Sequence, residues 1–216
     1  MLGASISKNS LLLGVFALVT AGVLALTNVS TRDRIAQAER AAAEKALYEL
    51  VPASRVDNDL LHDTLPTPVS MLPALGIDTP EAIHRARNNG QVIAVIMPAV
   101  APDGYSGDIR IIVGVNRDGS IAGVRALAHK ETPGLGDKVD LAKSDWILGF
   151  NGKSLGEPPA EKWAVKKDGG VFDQFTGATI TPRAVTAQVK RVLQQVAKHR
   201  NLLFDIPAEA GEDNGE

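Results

Sequence analysis

The 216-residue chain is predicted to have an α+β fold, an antiparallel sheet with flanking helices, preceded by one N-terminal transmembrane helix. Three observations predict it: a long uncharged apolar run near the N-terminus, three β-branched segments joined by short connections, and an amphipathic segment of helical period near the C-terminus. The composition agrees, because 44% hydrophobic and 22% charged residues are typical of a folded domain with a core.

The apolar run lies between Lys8 and Arg32, where the chain has no charged residue. At about 1.5 Å per residue, residues 9–31 are long enough to cross a bilayer core of about 30 Å. A cleaved signal peptide is the main alternative, but the run is long and no small-residue cleavage pattern ends it. Residues 32–51 are rich in Ala, Glu, Arg and Lys and stop before Pro52, so we expect one continuous helix that leaves the membrane.

The sheet is predicted from three strand-length segments, Gln91–Met97, Asp108–Val115 and Ser120–Ala128. Because the connections between them are short, the strands should form an antiparallel meander. Residues 52–90, which come before them and are rich in proline, are predicted to be a connecting region. The globular domain is expected to cover residues 91–204.

The last strong helix is predicted to begin with Thr181 as N-cap and Pro182 at the first helical position, an arrangement that favours a helix start. Apolar residues then recur on one face at helical spacing: Val185, Val189, Val192, Leu193 and Val196. We also expect a short helix around residues 140–146 and a pairing of residues 163–165 with 171–173.

Several classes of function are disfavoured by the composition. There is no cysteine, which excludes thiolate-bound clusters, disulfides and a cysteine nucleophile. The four histidines lack the spacing of a metal site, so no protein-bound metal is predicted. No catalytic residue is assigned to the chain. A formal net charge of -2 argues against a nucleic-acid partner. The acidic tail, residues 205–216, is predicted to be disordered.

The most informative segment is Asp173–Thr181, with the sequence Asp-Gln-Phe-Thr-Gly-Ala-Thr-Ile-Thr. It lies directly before the predicted helix, whose N-terminus would present free N–H donors and a partial positive charge to a phosphate. Gly177 and Ala178 leave room beside the hydroxyl of Thr179. The residues alone leave two interpretations open, a phosphate-carrying site or a turn of small residues, because a threonine hydroxyl is a poor nucleophile without an activating group.

The pattern Asp-x-x-[Ser/Thr]-Gly-Ala-Thr resembles the flavinylation site of the FMN-binding domains in Rnf complexes and in sodium-pumping NADH:quinone reductases. In those families an external, metal-dependent flavin transferase moves FMN from FAD onto the last threonine through a phosphoester. The acceptor chain therefore needs no base of its own. The resemblance implies that Thr179 carries covalent FMN and that Asp173, Thr176, Gly177 and Ala178 form the motif that the transferase recognises.

The resemblance to the G subunit of Rnf complexes covers nearly the whole chain, in blocks that follow the same order: Ala101–Gly107, Glu131–Lys138, Ser144–Ile147, Trp163–Gly170 and Asp173–Val185. It implies that residues 91–204 form an FMN-binding domain. The chain would be an electron-relay subunit, without complete activity alone, of a membrane-bound complex that couples electron transfer to ion translocation. Its partners would be the other Rnf subunits and, during maturation, the flavin transferase.

The loop Glu131–Gly136, Glu-Thr-Pro-Gly-Leu-Gly, has two interpretations. It is a turn in which Pro and Gly end a strand, or it is a loop that closes over the flavin ring. The resemblance favours the flavin loop, and the candidate FMN contacts are Glu131, Thr132, Gly134, Leu135 and Thr181. Glu131 is also a candidate for proton handling, against the simpler interpretation of a solvated carboxylate.

The resemblance further implies a single-pass protein of the bacterial inner membrane, with residues 1–8 in the cytoplasm and the C-terminal domain in the periplasm. The flanking charges predict the opposite orientation, because basic residues follow the span closely: Arg32, Arg34, Arg40 and Lys45. Two alternatives remain open for the function. The chain could be the C subunit of a sodium-translocating quinone reductase, which shares the flavinylation pattern, or a cofactor-free, membrane-anchored binding or scaffold module.

Overall fold

The computed structural model describes residues 2–205, except for the side chains of residues 2–9, 33–40 and 42. The predicted α+β class is confirmed: an antiparallel sheet with flanking helices follows an N-terminal apolar helix. The predicted disorder of the acidic tail falls, apart from Asp205, outside the described residues.

Backbone contacts divide the chain into a helical unit, Met1–Lys45, and a globular unit, Ala46–Glu216. Helix α1 spans Leu2–Leu50 as the continuous helix that the sequence predicts, and its segment Ser10–Arg32 is long and apolar enough to cross a membrane. The hydroxyls of Thr20 and Thr27 each donate to the carbonyl four residues earlier, at 2.8 Å. These bonds satisfy the polar groups within the helix, as a lipid environment requires.

The globular unit is built on a five-stranded antiparallel sheet in which each strand pairs with the next along the chain. Its strands are β1 Thr64–Pro66, β2 Ala82–Asn88, β3 Gln91–Ala101, β4 Ile109–Asn116 and β5 Ile121–Ala128. The last three are the predicted meander. Strand β3 continues past the predicted end to Ala101, and from Met97 onwards it pairs with β4 alone in the described sheet.

Strands β1 and β2 lie inside the segment that was predicted to be a connecting region, residues 52–90, so the sheet extends further than expected. Strand β2 was not predicted because it carries two charged residues that are nevertheless buried. Arg85 and Arg87 of β2 are 7% and 4% exposed because both bind the carboxylate of Asp63, through their Nε atoms at 2.6 and 2.5 Å. An ion pair of this kind allows arginine in a buried strand, where isolated charge is excluded.

Helices cover both faces of the sheet. Helix α3, Ile180–Lys198, packs with α2, Leu72–Leu75, and α4, Arg200–Phe204, over one face. The last turn of α1 covers the other face, where a β-carbon on Gly123 of β5 would lie 2.7 Å from Cδ2 of Leu50. Glycine at this position therefore provides the space into which Leu50 packs.

Three local predictions need correction. Residues 140–146 do not form an α-helix: 3₁₀ turns occupy Gly136–Val139 and Asp145–Phe150, and Trp146 N–H donates to Ser144 Oγ at 3.2 Å. The pairing of residues 163–165 with 171–173 is reduced to one parallel bridge, between Val165 and Phe172. Helix α3 begins at Ile180, so its N-cap is Thr179 and not Thr181.

Candidate functional site

The segment that precedes α3 is a tight turn. Ala178 N–H donates to Phe175 O at 3.1 Å, and Gly177, the third residue of the turn, has a φ of +81°. A positive φ at this position defines a type II turn and favours glycine. Trp146 holds the turn from outside, since its indole N–H donates to Asp173 O at 2.7 Å and its ring packs edge-on against Phe175.

Thr179 follows this turn as the N-cap of α3 and is half-buried. Its backbone lies in the right-handed helical region, with φ -78° and ψ -26°, and its side chain makes no capping hydrogen bond. Its carbonyl accepts from Arg183 N–H at 3.3 Å. The hydroxyl therefore stands at the positive end of a 19-residue helix without being used to cap it.

Glu131 is the buried polar centre of the site, with 5% of its surface exposed. Its Oε1 accepts from Ser106 N–H at 2.9 Å, and its Oε2 accepts a short hydrogen bond from the hydroxyl of Thr181 in α3. The alternative of a solvated carboxylate is therefore wrong. Burial is compatible with this group because both carboxyl oxygens have donors.

Two glycines leave the space that the Glu131 carboxyl occupies. A β-carbon on Gly104 would lie 3.0 Å from Oε1, and one on Gly136 would lie 2.5 Å from Oε2 and 2.9 Å from Oγ1 of Thr181. The carboxyl thus joins three separate segments of the chain, which are the turn before β4, its own loop and the first turn of α3.

The loop after Glu131 is folded on itself and reaches the turn between Phe175 and Ala178. Thr132 O accepts from the N–H groups of Leu135 and Gly136, both at 3.1 Å, and Gly134 has a φ of +78°. Cδ2 of Leu135 lies 3.5 Å from the position of a β-carbon on Gly177. The two glycine-containing segments that the sequence singled out are therefore neighbours.

Together these segments enclose an open cavity of about 320 Å³. Seven residues that the sequence analysis named line it: Glu131, Thr132, Leu135, Gly177, Ala178, Thr179 and Thr181. Three further residues line it, Tyr105, Gly136 and Ile180, which lie in segments that the sequence analysis named but were not predicted as contacts themselves. Tyr105, which is 68% exposed, belongs to a block that carried the resemblance, but no pattern of residue types marked its side chain as a contact.

Asp173, Thr176 and Gly134 do not line the cavity. The carboxylate of Asp173 is exposed and pairs with Lys166 Nζ at 2.5 Å. Nearby, Arg183 donates from Nε and Nη2 to the Asp168 carboxylate at 2.6 and 2.8 Å, and these hydrogen bonds lower the pKa of Asp168 below its usual range. Among the described residues there is no cluster of His, Asp or Glu that could hold a metal ion.

The cavity fits a phosphate-linked aromatic group in three respects. Its volume falls at the lower end of the range of about 300–1,000 Å³ that is usual for ligand pockets. Leu135 and Ile180 give it an exposed apolar wall. The hydroxyl of Thr179 lies at the N-terminus of α3, which is a favourable place for an anion.

Comparison with known proteins matches two family profiles, the FMN-binding domain over residues 104–194 and the RnfG N-terminal region over residues 1–50. A Pseudomonas aeruginosa protein, named as the G subunit of an ion-translocating oxidoreductase complex, is 51% identical over 209 residues, 97% of each chain. Proteins of the same name from Pseudoalteromonas atlantica and Vibrio atlanticus are 46% and 44% identical, over 94% and 96% of this chain and 94% and 98% of theirs.

Proposed function

Because the chain belongs to the family of G subunits of ion-translocating oxidoreductase complexes, we propose that it carries one FMN, esterified through its phosphate to Thr179, and relays electrons within such a complex. The resemblance drawn from the sequence is confirmed. The chain is a flavin-binding electron-transfer subunit of a membrane-associated oxidoreductase complex, and the other subunits of that complex are its partners. The covalent bond, the flavin transferase and the periplasmic placement are parts of the proposal.

The observation that carries the proposal is that the Thr179 side chain makes no capping hydrogen bond to its helix. At an N-cap, a threonine hydroxyl usually accepts a hydrogen bond from the first turn of its helix. Thr179 makes no such bond, yet it lines the cavity at the positive end of α3. A phosphoester oxygen at this position would lie where helix geometry favours negative charge.

Attachment would join the Thr179 Oγ to the flavin phosphate. The bond that breaks is the pyrophosphate bond of FAD, AMP leaves, and the hydroxyl proton is released to the transferase or to water. The chain itself contributes position: the type II turn presents Thr179, and α3 offers its N–H groups to the phosphate. Once bound, the flavin supplies the redox chemistry, whereas Leu135, Ile180 and Tyr105 provide the surface against which it packs.

The alternatives gain no support from the comparisons. The relatives from Pseudomonas aeruginosa and Pseudoalteromonas atlantica, which match nearly the whole chain, are named as G subunits of ion-translocating oxidoreductase complexes. A match to the FMN-binding domain over residues 104–194 argues against a cofactor-free scaffold.

Fluorescence on a denaturing gel tests the covalent bond. Wild-type chain co-expressed with its flavin transferase should give a fluorescent band, and Thr179→Val should give none. Thr186→Val is the matched control, because Thr186 is a buried threonine of the same helix whose hydroxyl has no hydrogen-bond partner among the described residues. Fluorescence that persists in Thr179→Val would contradict the assignment.

The absence of cysteine makes the orientation testable by labelling. Glu161 lies on the surface of the globular unit, so Glu161→Cys would introduce a single exposed thiol. A maleimide that cannot cross the inner membrane should label this thiol in intact cells if the domain is periplasmic. Labelling only after the inner membrane is broken would place the domain in the cytoplasm, as the flanking charges predict.

A further inference from the structure

Glu131 is connected to Thr179 through the first turn of α3. The Thr181 hydroxyl donates to Glu131 Oε2, and Thr179 precedes Thr181 by two residues in the same helical turn. The helix backbone fixes the direction of one side chain relative to the other. A contact that holds Thr181 therefore also fixes the backbone at Thr179 and the direction in which its Cα–Cβ bond leaves the helix start.

The other end of the Glu131 carboxyl is fixed as well. Ser106 N–H donates to Oε1 at 2.9 Å, and Gly104 and Gly136 lie so close that neither has room for a β-carbon. The side chain is buried and has little freedom to move. A threonine held by such a group keeps one orientation, whereas helix ends that lack tertiary contacts fray.

We propose that Glu131 is a positioning residue for flavin attachment: through Thr181 it holds the start of α3 so that the Thr179 hydroxyl faces the cavity in the orientation that esterification requires. This inference rests on the proposed covalent attachment at Thr179. It assigns to the Glu131–Thr181 pair a role in maturation that is separate from contact with the flavin ring. Displacements of about 1 Å lower the rate of a positioned reaction by as much as about 100-fold, so the contact is expected to matter for the rate.

The test follows the mass of the purified full-length chain in detergent during incubation with the flavin transferase, FAD and Mg²⁺. Thr181→Val keeps the shape of the side chain but loses the hydroxyl, and Thr181→Ser keeps the hydroxyl. We expect the rate of mass gain to fall about 10- to 100-fold in Thr181→Val and to recover to within about threefold of wild type in Thr181→Ser. Thr186→Val, the matched loss of a buried hydroxyl in α3, should react at the wild-type rate.

Glu131→Gln tests the other partner. Glutamine can keep the acceptor for Ser106 N–H at Oε1, but its amide nitrogen then faces Thr181 Oγ1, so the hydrogen bond from the hydroxyl to the carboxylate is replaced by a weaker one from the amide to the hydroxyl. The rate should fall about 10-fold, mainly in the kcat of the transferase and not in its KM for this chain, because the variant side chain is buried. Glu161→Gln, the same change at an exposed position, should have no effect.

The outcomes separate the two proposals. If wild type gains no mass, or if Thr179→Val gains it, covalent attachment at Thr179 is wrong and the positioning role fails with it. If wild type reacts and Thr181→Val reacts equally fast, the positioning role alone is overturned. A thermal unfolding curve accompanies each variant. Should Glu131→Gln fail to fold, the contrast between Thr181→Val and Thr181→Ser decides the question.

Discussion

Gly136 lies against the carboxyl group of Glu131, so closely that a β-carbon on the glycine would be 2.5 Å from Oε2. Glu131 cannot move aside freely, because Ser106 and Thr181 hold it and it is buried. The loop and the first turn of α3 are thus packed around one side chain. Substitutions at this point test whether the cavity wall is as rigid as its contacts indicate.

Gly136→Ala is expected to destabilise the globular unit by about 1–3 kcal/mol, the usual cost of overpacking. The added methyl group would displace the Glu131 carboxyl from the Thr181 hydroxyl. Gly149→Ala is the control, since no atom beyond its own stretch of chain lies within 4 Å of the position of a β-carbon on Gly149. Urea unfolding of the full chain in detergent gives both values. If the two variants were equally stable, the loop that contains Gly136 would accommodate a methyl group with no loss in the free energy of unfolding, and the prediction would be wrong.

Gly177→Ala tests whether the backbone conformation at this position requires glycine, since a methyl group would have room there. The position of a β-carbon on Gly177 is at ordinary contact distance, 3.5 Å from Leu135, but the φ of +81° is unfavourable for residues other than glycine. We expect a loss of about 1–2 kcal/mol in the free energy of unfolding. Gly177→Asn should lose less than Gly177→Ala, because asparagine tolerates a positive φ better. An alanine variant as stable as wild type would mean that the turn takes another form in solution.

His84 should make the stability of the domain depend on pH. Its Nδ1 lies 2.7 Å from Leu60 O, and burial lowers the pKa of the imidazole below its ordinary 6.5 despite this hydrogen bond. The unfolded chain therefore binds more protons than the folded chain between the folded pKa and 6.5. In that window the free energy of unfolding contributed by His84 falls as the pH is lowered.

The comparison is between wild type and His84→Asn, whose amide can also donate to Leu60 O. Urea unfolding at a series of pH values from about 7.5 to about 5 should show a steeper loss of stability for wild type than for the variant. If stability depended on pH equally in wild type and variant, His84 would bind protons as readily in the folded chain as in the unfolded chain, and the prediction would be wrong.

The regular spacing of apolar residues predicts those helices and strands in which burial follows that spacing. The meander β3–β5, the long helix α1 and the amphipathic face of α3 all follow from apolar residues at regular spacing. Strand β2 does not, because its buried arginines depend on Asp63, which is 22 and 24 positions away in the sequence. No local pattern reveals that partner.

The site, like the fold, could be predicted where local residue patterns define it and not where it depends on contacts between residues far apart in the sequence. Residue types alone indicate the turn before α3 and the loop after Glu131, and the structure brings the two together around one cavity. The hydrogen bond between Glu131 and Thr181 joins residues 50 positions apart, so the sequence does not show it. The sequence predicts that α3 starts at Thr181, because a threonine followed by proline is a strong N-cap signal. In the structure the hydroxyl of that threonine binds Glu131 instead.

The central claim is the bond between Thr179 and the flavin phosphate, and the intact mass of the chain purified from its native membrane tests it most directly. The account predicts one species heavier than the unmodified chain by the mass of FMN less one water, with the added mass confined to the peptide that contains Thr179. A chain of unmodified mass, or one whose flavin is lost on denaturation, would contradict it.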